Sequence, residues 1–350
     1  MLIRFWCVAF TVLLIFSGCR SSKTIATDNA FSTEESSDLN YRLIYIIHGD
    51  ANYLYHDTAG RSLQSDEQQL LKAVEVAEQA KHGEVFIYHQ RPETKILWLF
   101  PRKDRRMLHY RKGKRIHQKK YSPASETQAF LSESRLYHKY RSRDSLRTFF
   151  LYFGHEIPKD SAASYFQSRP DAQLATDSFV EGERSFLEDS SHFELSVLST
   201  CDNGTPEMAA KQQPLTKYLL ASPQNLHLSQ IDSRKLLLLE EDPDISTKEL
   251  TEAIARDSFD RLSSFLQTAV TLSIYDMSGI GSYIDSLSAD YNRAMEEASR
   301  GAIEQDNIDC AVSQLWDAGQ QSEGIITLFK SANFGPQANR KAHSGWGCQE

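Results

Sequence analysis

The sequence is short of several things, and each absence narrows what it can be. It has no excess of positive charge: 39 Lys and Arg stand against 47 Asp and Glu, a formal balance of -8. Phosphate would be repelled on average, so nucleic acid is not an expected partner. It has no HExxH or HxxEH element of the kind that places metal ligands on one helix face. Its N-terminal apolar run, Phe5 to Phe16 with Thr11 inside, is shorter than the roughly 20 residues a membrane span needs. No internal repeat is visible, and no low-complexity segment apart from one polar stretch near the N-terminus. Cysteine is sparse, with five in 350 residues. What remains is 40% hydrophobic and 11% aromatic, enough for a sizeable core in one large or two medium domains. Charged residues, at 25%, are ordinary for a globular chain.

Residues 1–18 have the layout of a processing signal. Arg4 precedes the apolar run, and the small residues Ser17 and Gly18 lead into Cys19. The small-small-Cys ending resembles the bacterial lipobox, with Phe16 where Leu is usual. That resemblance implies cleavage before Cys19 and a diacylglyceryl group on its sulfur, so a lipid-anchored protein of the bacterial cell envelope is expected, periplasmic or surface-exposed. Residues 19–40 are rich in Ser, Thr, Asp and Glu and read as a flexible tether. Once Cys7 leaves with the signal and Cys19 carries lipid, three cysteines remain. The economical assignment is a Cys310–Cys348 disulfide and a free thiol at Cys201.

From Tyr41 the pattern alternates. Residues 42–47, RLIYII, read as a buried strand running into His48-Gly49-Asp50. A helix is expected over 66–80 and a strand over 84–88. A further strand is expected over 96–100, and a basic hairpin over 107–121 turning at Gly113. A helix over 126–140 and an apolar strand over 148–153 follow. After a polar stretch to about 178 come a strand over 193–198, a helix from 205 to 211 and a strand over 218–221. Such alternation predicts an α/β layer fold with a mainly parallel sheet over 41–242. Residues 243–350 read as a mostly helical C-terminal region. Its helix over 246–269 presents Leu250, Ile254, Phe259, Leu262 and Phe265 inward, and a brief extended piece follows at 271–275 before another helix over 281–302. The basic run at 101–120 reads as a solvated face of the hairpin.

In an open sheet, functional groups collect at the carboxyl ends of strands. His155 follows the strand over 148–153, and Cys201 follows that over 193–198. A lone cysteine is ordinarily a small buried hydrophobe, and a lone histidine a satisfied structural one. Two such residues at strand ends of one sheet point instead to a thiol nucleophile with its base. A helix starting near Pro206 would favour the thiolate. A competing set is His48, Asp50, His56 and Asp57 in HGDANYLYHD, which suits a metal-dependent hydrolase, although ligand sets normally draw on several loops.

FFLYFGHEIP at 149–158 and LSVLSTCDNG at 195–204 resemble the His and Cys motifs of the clostripain-like family of clan CD, the caspase-like cysteine peptidases. LTKYLLASPQNL at 215–226 is similar to that family's strand after the nucleophile, and TLSIYDMSGI at 271–280 to its Ser-x-x-Asp segment. The resemblance spans about 41–287. It implies a caspase-like three-layer α/β/α sandwich and peptide-bond hydrolysis without a cofactor or metal. Cys201 would be the nucleophile and His155 the acid and base. Backbone N–H groups at Glu156 and Cys201 would hold the oxyanion, with Ser199, Asp50 and Ser222 in the substrate pocket. A monomer acting on a peptide or protein is expected. Two departures matter. Glu156 stands where glycine is usual and could raise the imidazole pKa. Ser199 stands where the family carries an aspartate that selects Arg or Lys, so basic specificity does not carry over. These departures keep a peptide-binding module without turnover open as an alternative.

Overall fold

A computed structural model of the chain describes residues 39–347, with the exception of 51–52, 58, 93, 97–99, 103–104, 124–127, 160–173, 189–190, 281–323 and 340. The signal, Cys19, the tether up to residue 38, Cys310, Cys348 and the helix expected over 281–302 lie outside the described residues.

The elements run as follows. β1 (Tyr41–His48) leads into a small hairpin, β2 (Leu54–His56) and β3 (Ser62–Gln64), then α1 (Ser65–Gln79) and β4 (Gly83–Gln90). Next are a second small hairpin, β5 (Thr94–Ile96) and β6 (Phe100–Arg102), and the long hairpin β7 (Arg105–Arg111) and β8 (Lys114–Tyr121). After α2 (Leu131–Tyr140) come β9 (Arg147–Phe153), α3 (Thr176–Arg184), β10 (Phe193–Ser199), α4 (Pro206–Gln212) and β11 (Thr216–Ala221). A short α5 (Leu238–Glu241), α6 (Thr247–Phe265), β12 (Val270–Asp276) and β13 (Ile325–Lys330) complete them.

Nine strands form one mixed sheet in the order β13-β12-β11-β10-β9-β1-β4-β7-β8. The central five, β4-β1-β9-β10-β11, are parallel, and antiparallel pairs close both edges. Alternation along the strands explains the three layers. Leu43, Tyr45 and Ile47 of β1 join a core with Leu70, Ala73, Val76 and Ala77 of α1 and Leu250, Ile254 and Leu262 of α6. Ile44 and Ile46 point the other way, into a core with Tyr137 of α2, Phe179 of α3 and Met208 of α4. The architecture is therefore the caspase-like α/β sandwich that the resemblance implied.

Beyond residue 242 the described chain carries one of the expected helices and adds strands to the sheet. α6 forms, started by a capping box in which Ser246 Oγ accepts from Glu249 N at 3.1 Å and Glu249 Oε2 accepts from Ser246 N at 3.3 Å. The extended piece at 271–275 is a full strand, however, and β13 joins it, so both extend the central sheet. β13 and α3 were not anticipated; their patterns are short and flanked by polar residues. The 107–121 hairpin forms as expected, and its outer strand exposes Lys114, Arg115, Lys119 and Lys120.

The chain direction also fixes where a site can form. From β1 it steps to β4 on one side, then returns to β9, β10 and β11 on the other. The order reverses between β1 and β9, and clefts open at such a switch point, beyond the carboxyl ends of the strands.

Candidate active site

A pocket of about 210 Å³ opens at that switch point. Its lining includes Asp50 after β1, His155 after β9, and Ser199 and Cys201 at the end of β10. β9 and β10 are adjacent and parallel, with Phe153 paired to Ser199. His155 and Cys201 thus stand at matching positions, each two residues past a paired strand residue.

The two loops are tied together by a residue that pattern reading did not single out. Asn203 is fully buried. Its Oδ1 accepts from Ile157 N at 2.9 Å and from Thr200 Oγ1 at 2.6 Å, and its Nδ2 donates to Ile157 O at 2.9 Å. One side chain therefore pins the histidine loop to the cysteine loop. Asp202 beside it lies in the left-handed region at φ 51°. Gly204 is required by close approach: a Cβ there would stand 2.5 Å from the Tyr275 hydroxyl. At the end of β1, a Cβ on Gly49 would meet the Asp66 carboxyl at 2.8 Å, so glycine lets β1 run out against the start of α1.

The imidazole of His155 is held from the β1 side. Asp50 Oδ2 lies 3.6 Å from His155 Nε2, and the Asp50 side chain is wholly buried. Tyr53 packs edge-on against the ring, with centroids 4.4 Å apart. Burial pushes the imidazole below its usual value, and the Asp50 carboxylate opposes that shift. The Glu156 charge bears on the thiol.

The Cys201 thiol is half-buried and tied to the segment after β11: Leu226 N donates to Sγ at 3.3 Å, and Sγ donates to Leu226 O at 3.6 Å. Burial pushes the thiol up to about 11, with Asp202 and Glu156 adding to the rise and the Leu226 N–H opposing it. The helix-terminus argument pointed the other way. α4 does start at Pro206, with Thr205 Oγ1 capping Met208 N at 3.1 Å, but desolvation acts directly on the sulfur and outweighs it. Both shifts favour the uncharged forms of the pair.

The remaining candidates divide. Ser199 lines the pocket, and its Oγ accepts from Ile231 N at 2.9 Å. Ser222 is buried away from it, its hydroxyl spent on Gln224 O and Thr271 O at 2.6 and 3.0 Å. The His48, Asp50, His56, Asp57 set is not brought together. His48 packs on Tyr152 and Phe130, and Asp57 caps the β2–β3 turn through Ala59 N and Arg61 N. Among the described residues no group of three or more His, Cys, Asp or Glu could hold a metal ion. None of their helices is long and apolar enough to cross a membrane.

No family model matches the sequence, and no curated protein does. Solved structures do match. A secreted C11 cysteine protease from Bacteroides thetaiotaomicron, iotapain, superposes with a TM-score of 0.50 at 14% identity, over 73% of this chain and 72% of that one. The chain has the fold of the C11 cysteine proteases. A secreted C11 protease from the same organism with an irreversible peptide inhibitor gives 0.49 at 12% identity, over 72% and 69%. An inactive zymogen C11 protease from Parabacteroides distasonis gives 0.46 at 14%, over 72% and 64%.

Proposed function

We propose that the chain is a cysteine endopeptidase of the clostripain-like family, using Cys201 and His155, and held to the bacterial envelope by a lipid on Cys19. One observation carries the reading: His155 and Cys201 line a single pocket at matching positions beyond adjacent parallel strands. The C11 fold supports it.

The chemistry starts from the neutral pair. As a peptide carbonyl enters, the Cys201 thiol gives its proton to His155, and the sulfur forms a bond to the carbonyl carbon. Nε2 faces Asp50, and Nδ1 takes that proton. The Asp50 carboxylate then stabilises the imidazolium as it forms. The oxyanion is held by backbone N–H groups of Glu156 and Cys201. Collapse breaks the C–N bond, and the leaving amine takes the proton from His155. Water, deprotonated by the same imidazole, then hydrolyses the thioester; the proton returns to sulfur and the acid leaves.

An acyloxymethyl ketone peptide probe tests this. The full chain should be labelled at Cys201, and Cys201→Ala should abolish labelling with the fold intact by circular dichroism. A second reading, a peptide-binding module without turnover, is favoured by the thiol pushed to about 11 and tied to Leu226. Peptide binding with no labelling across varied probes selects it. Mass spectrometry of the mature protein should find acylated Cys19 as its first residue; any other start rejects the anchor.

A further inference from the structure

The segment after β11 carries a pocket residue that the reaction above does not use. Gln230 lines the pocket alongside Cys201 and is 7% exposed. Its side-chain oxygen Oε1 is buried without a hydrogen-bond partner. A buried amide oxygen left unpaired is costly, so an unpaired one in a native protein calls for a reason. The Gln230 backbone lies in the left-handed region at φ 58°, which a residue with a Cβ enters only at a cost.

Its surroundings hold it there. Gln230 N donates to His227 O at 2.7 Å. From α6, Arg261 donates to Ser229 Oγ at 2.8 Å and to the Gln230 carbonyl. From α1, Gln69 Nε2 and Lys72 Nζ donate to Ser229 O at 2.9 and 3.3 Å. Ser199 Oγ receives Ile231 N. A strained residue with an unpaired acceptor, fixed at a pocket by a rigid frame, fits ligand selection better than it fits folding.

We propose that Gln230 selects the substrate side chain next to the scissile bond, and that it selects an uncharged carboxamide, that of glutamine or asparagine. The proposal rests on the peptidase reading above. A neutral acceptor pairs with a neutral N–H donor and strands no charge, whereas a cation gains no countercharge from Gln230 itself. The carboxylates lining the pocket are already engaged. Asp66 Oδ2 faces His89 Nε2 at 2.8 Å, and His89 Nδ1 accepts from Arg106 Nε at 3.2 Å. Asp50 Oδ2 lies 3.6 Å from His155 Nε2. A carboxamide answers the Gln230 amide on both sides, donating to Oε1 and accepting from Nε2. Ser199 adds no charge to the pocket, and its oxygen serves to anchor this segment.

The test uses fluorogenic peptides that differ only in that side chain: Gln, Asn, Met, Lys or Arg. Met matches Gln in length and lacks the N–H donor. In the full chain, kcat/KM for the Gln or Asn peptide should exceed that for Met, Lys and Arg by roughly tenfold or more. Gln230→Met should bring Gln and Met to near equality while still cleaving the Met peptide, which shows that the variant folds. Gln230→Glu should move the preference to Lys and Arg. Equal cleavage of Gln and Met by the wild-type chain, a lead for Lys or Arg, or discrimination that survives Gln230→Met would each overturn the proposal and leave the peptidase standing. Failure of every peptide, together with failure of every probe to label Cys201, overturns both.

Discussion

Two buried polar regions sit at opposite ends of the same parallel strands, and they are built on opposite terms. At the amino ends, Glu84 of β4 is surrounded by donors. Its Oε1 accepts from His109 Nε2, Arg111 Nη2 and Ser142 N, and its Oε2 from Arg42 Nε and Ser142 Oγ, all between 2.8 and 3.1 Å. These donors hold the carboxyl far below its usual range despite full burial. At the carboxyl ends, Cys201 is pushed up, His155 down, Asp202 and Gln230 are in left-handed conformations, and Gln230 Oε1 is unpaired. The Glu84 carboxylate is supplied with donors on both oxygens, whereas the Gln230 side-chain oxygen in the pocket has none. Saturation serves stability. Unmet hydrogen-bonding capacity in a pocket serves a ligand not yet bound.

The largest expected effect tests the saturated end. Glu84→Gln removes the charge that two arginines and a histidine face, and should lower unfolding free energy by about 3–5 kcal/mol. Urea denaturation measures this, and a loss under about 1 kcal/mol would show that the cluster is not the brace it resembles. Its pH dependence has a definite sign. The folded-state pKa of Glu84 is depressed, so its contribution is present above the unfolded value near 4.3 and drains away as pH falls below it.

The next effect tests the other end. With a thiol pKa of about 11, Cys201 should hold on the order of a hundredfold less thiolate at pH 7.5 than an ordinary cysteine does. Iodoacetamide modification of the Cys201 peptide, followed by mass spectrometry, should keep rising with pH well past 9. A plateau by pH 8 would mean an activated thiolate at rest, and the contrast between the two ends would fail.

Much of this arrangement was legible in the sequence. The apolar runs at 42–47, 148–153 and 193–198 announced their strands because strands buried on both faces need no alternation. His155 and Cys201 were legible because each follows such a run directly. The third side of the pocket was not. Tyr53, Leu226 and Gln230 occupy irregular backbone, where no period marks a residue as inward. Asn203 reads as one more polar residue in a turn. Its role depends on Ile157, which lies across the sheet edge and far away along the chain. The resemblance implies Ser222 in the pocket, but its hydroxyl turns back to the backbone of Gln224 and Thr271. The direction of the thiol shift was missed for a related reason, since a helix start is visible in sequence and the depth of a sulfur is not.

Asn203 gives the smallest effect and the sharpest separation of the two ends. Asn203→Ala removes three hydrogen bonds at a fully buried position, two of them to the Ile157 backbone, at a cost of about 1–3 kcal/mol. Glu84→Gln should lower stability and leave the labelling rate of the folded protein unchanged. Asn203→Ala should do the reverse in proportion, with a smaller loss of stability and a roughly tenfold or greater loss in the rate of probe labelling at Cys201, because a small misplacement of the histidine loop is amplified in the chemistry. Asn203→Asp keeps the acceptor for Ile157 N and Thr200 Oγ1 and gives up only the donor to Ile157 O, so it should recover part of the rate. If both Asn203 variants label at the wild-type rate, the tie between the two loops is structural alone, and the carboxyl end differs from the Glu84 cluster in its pKa values but not in purpose.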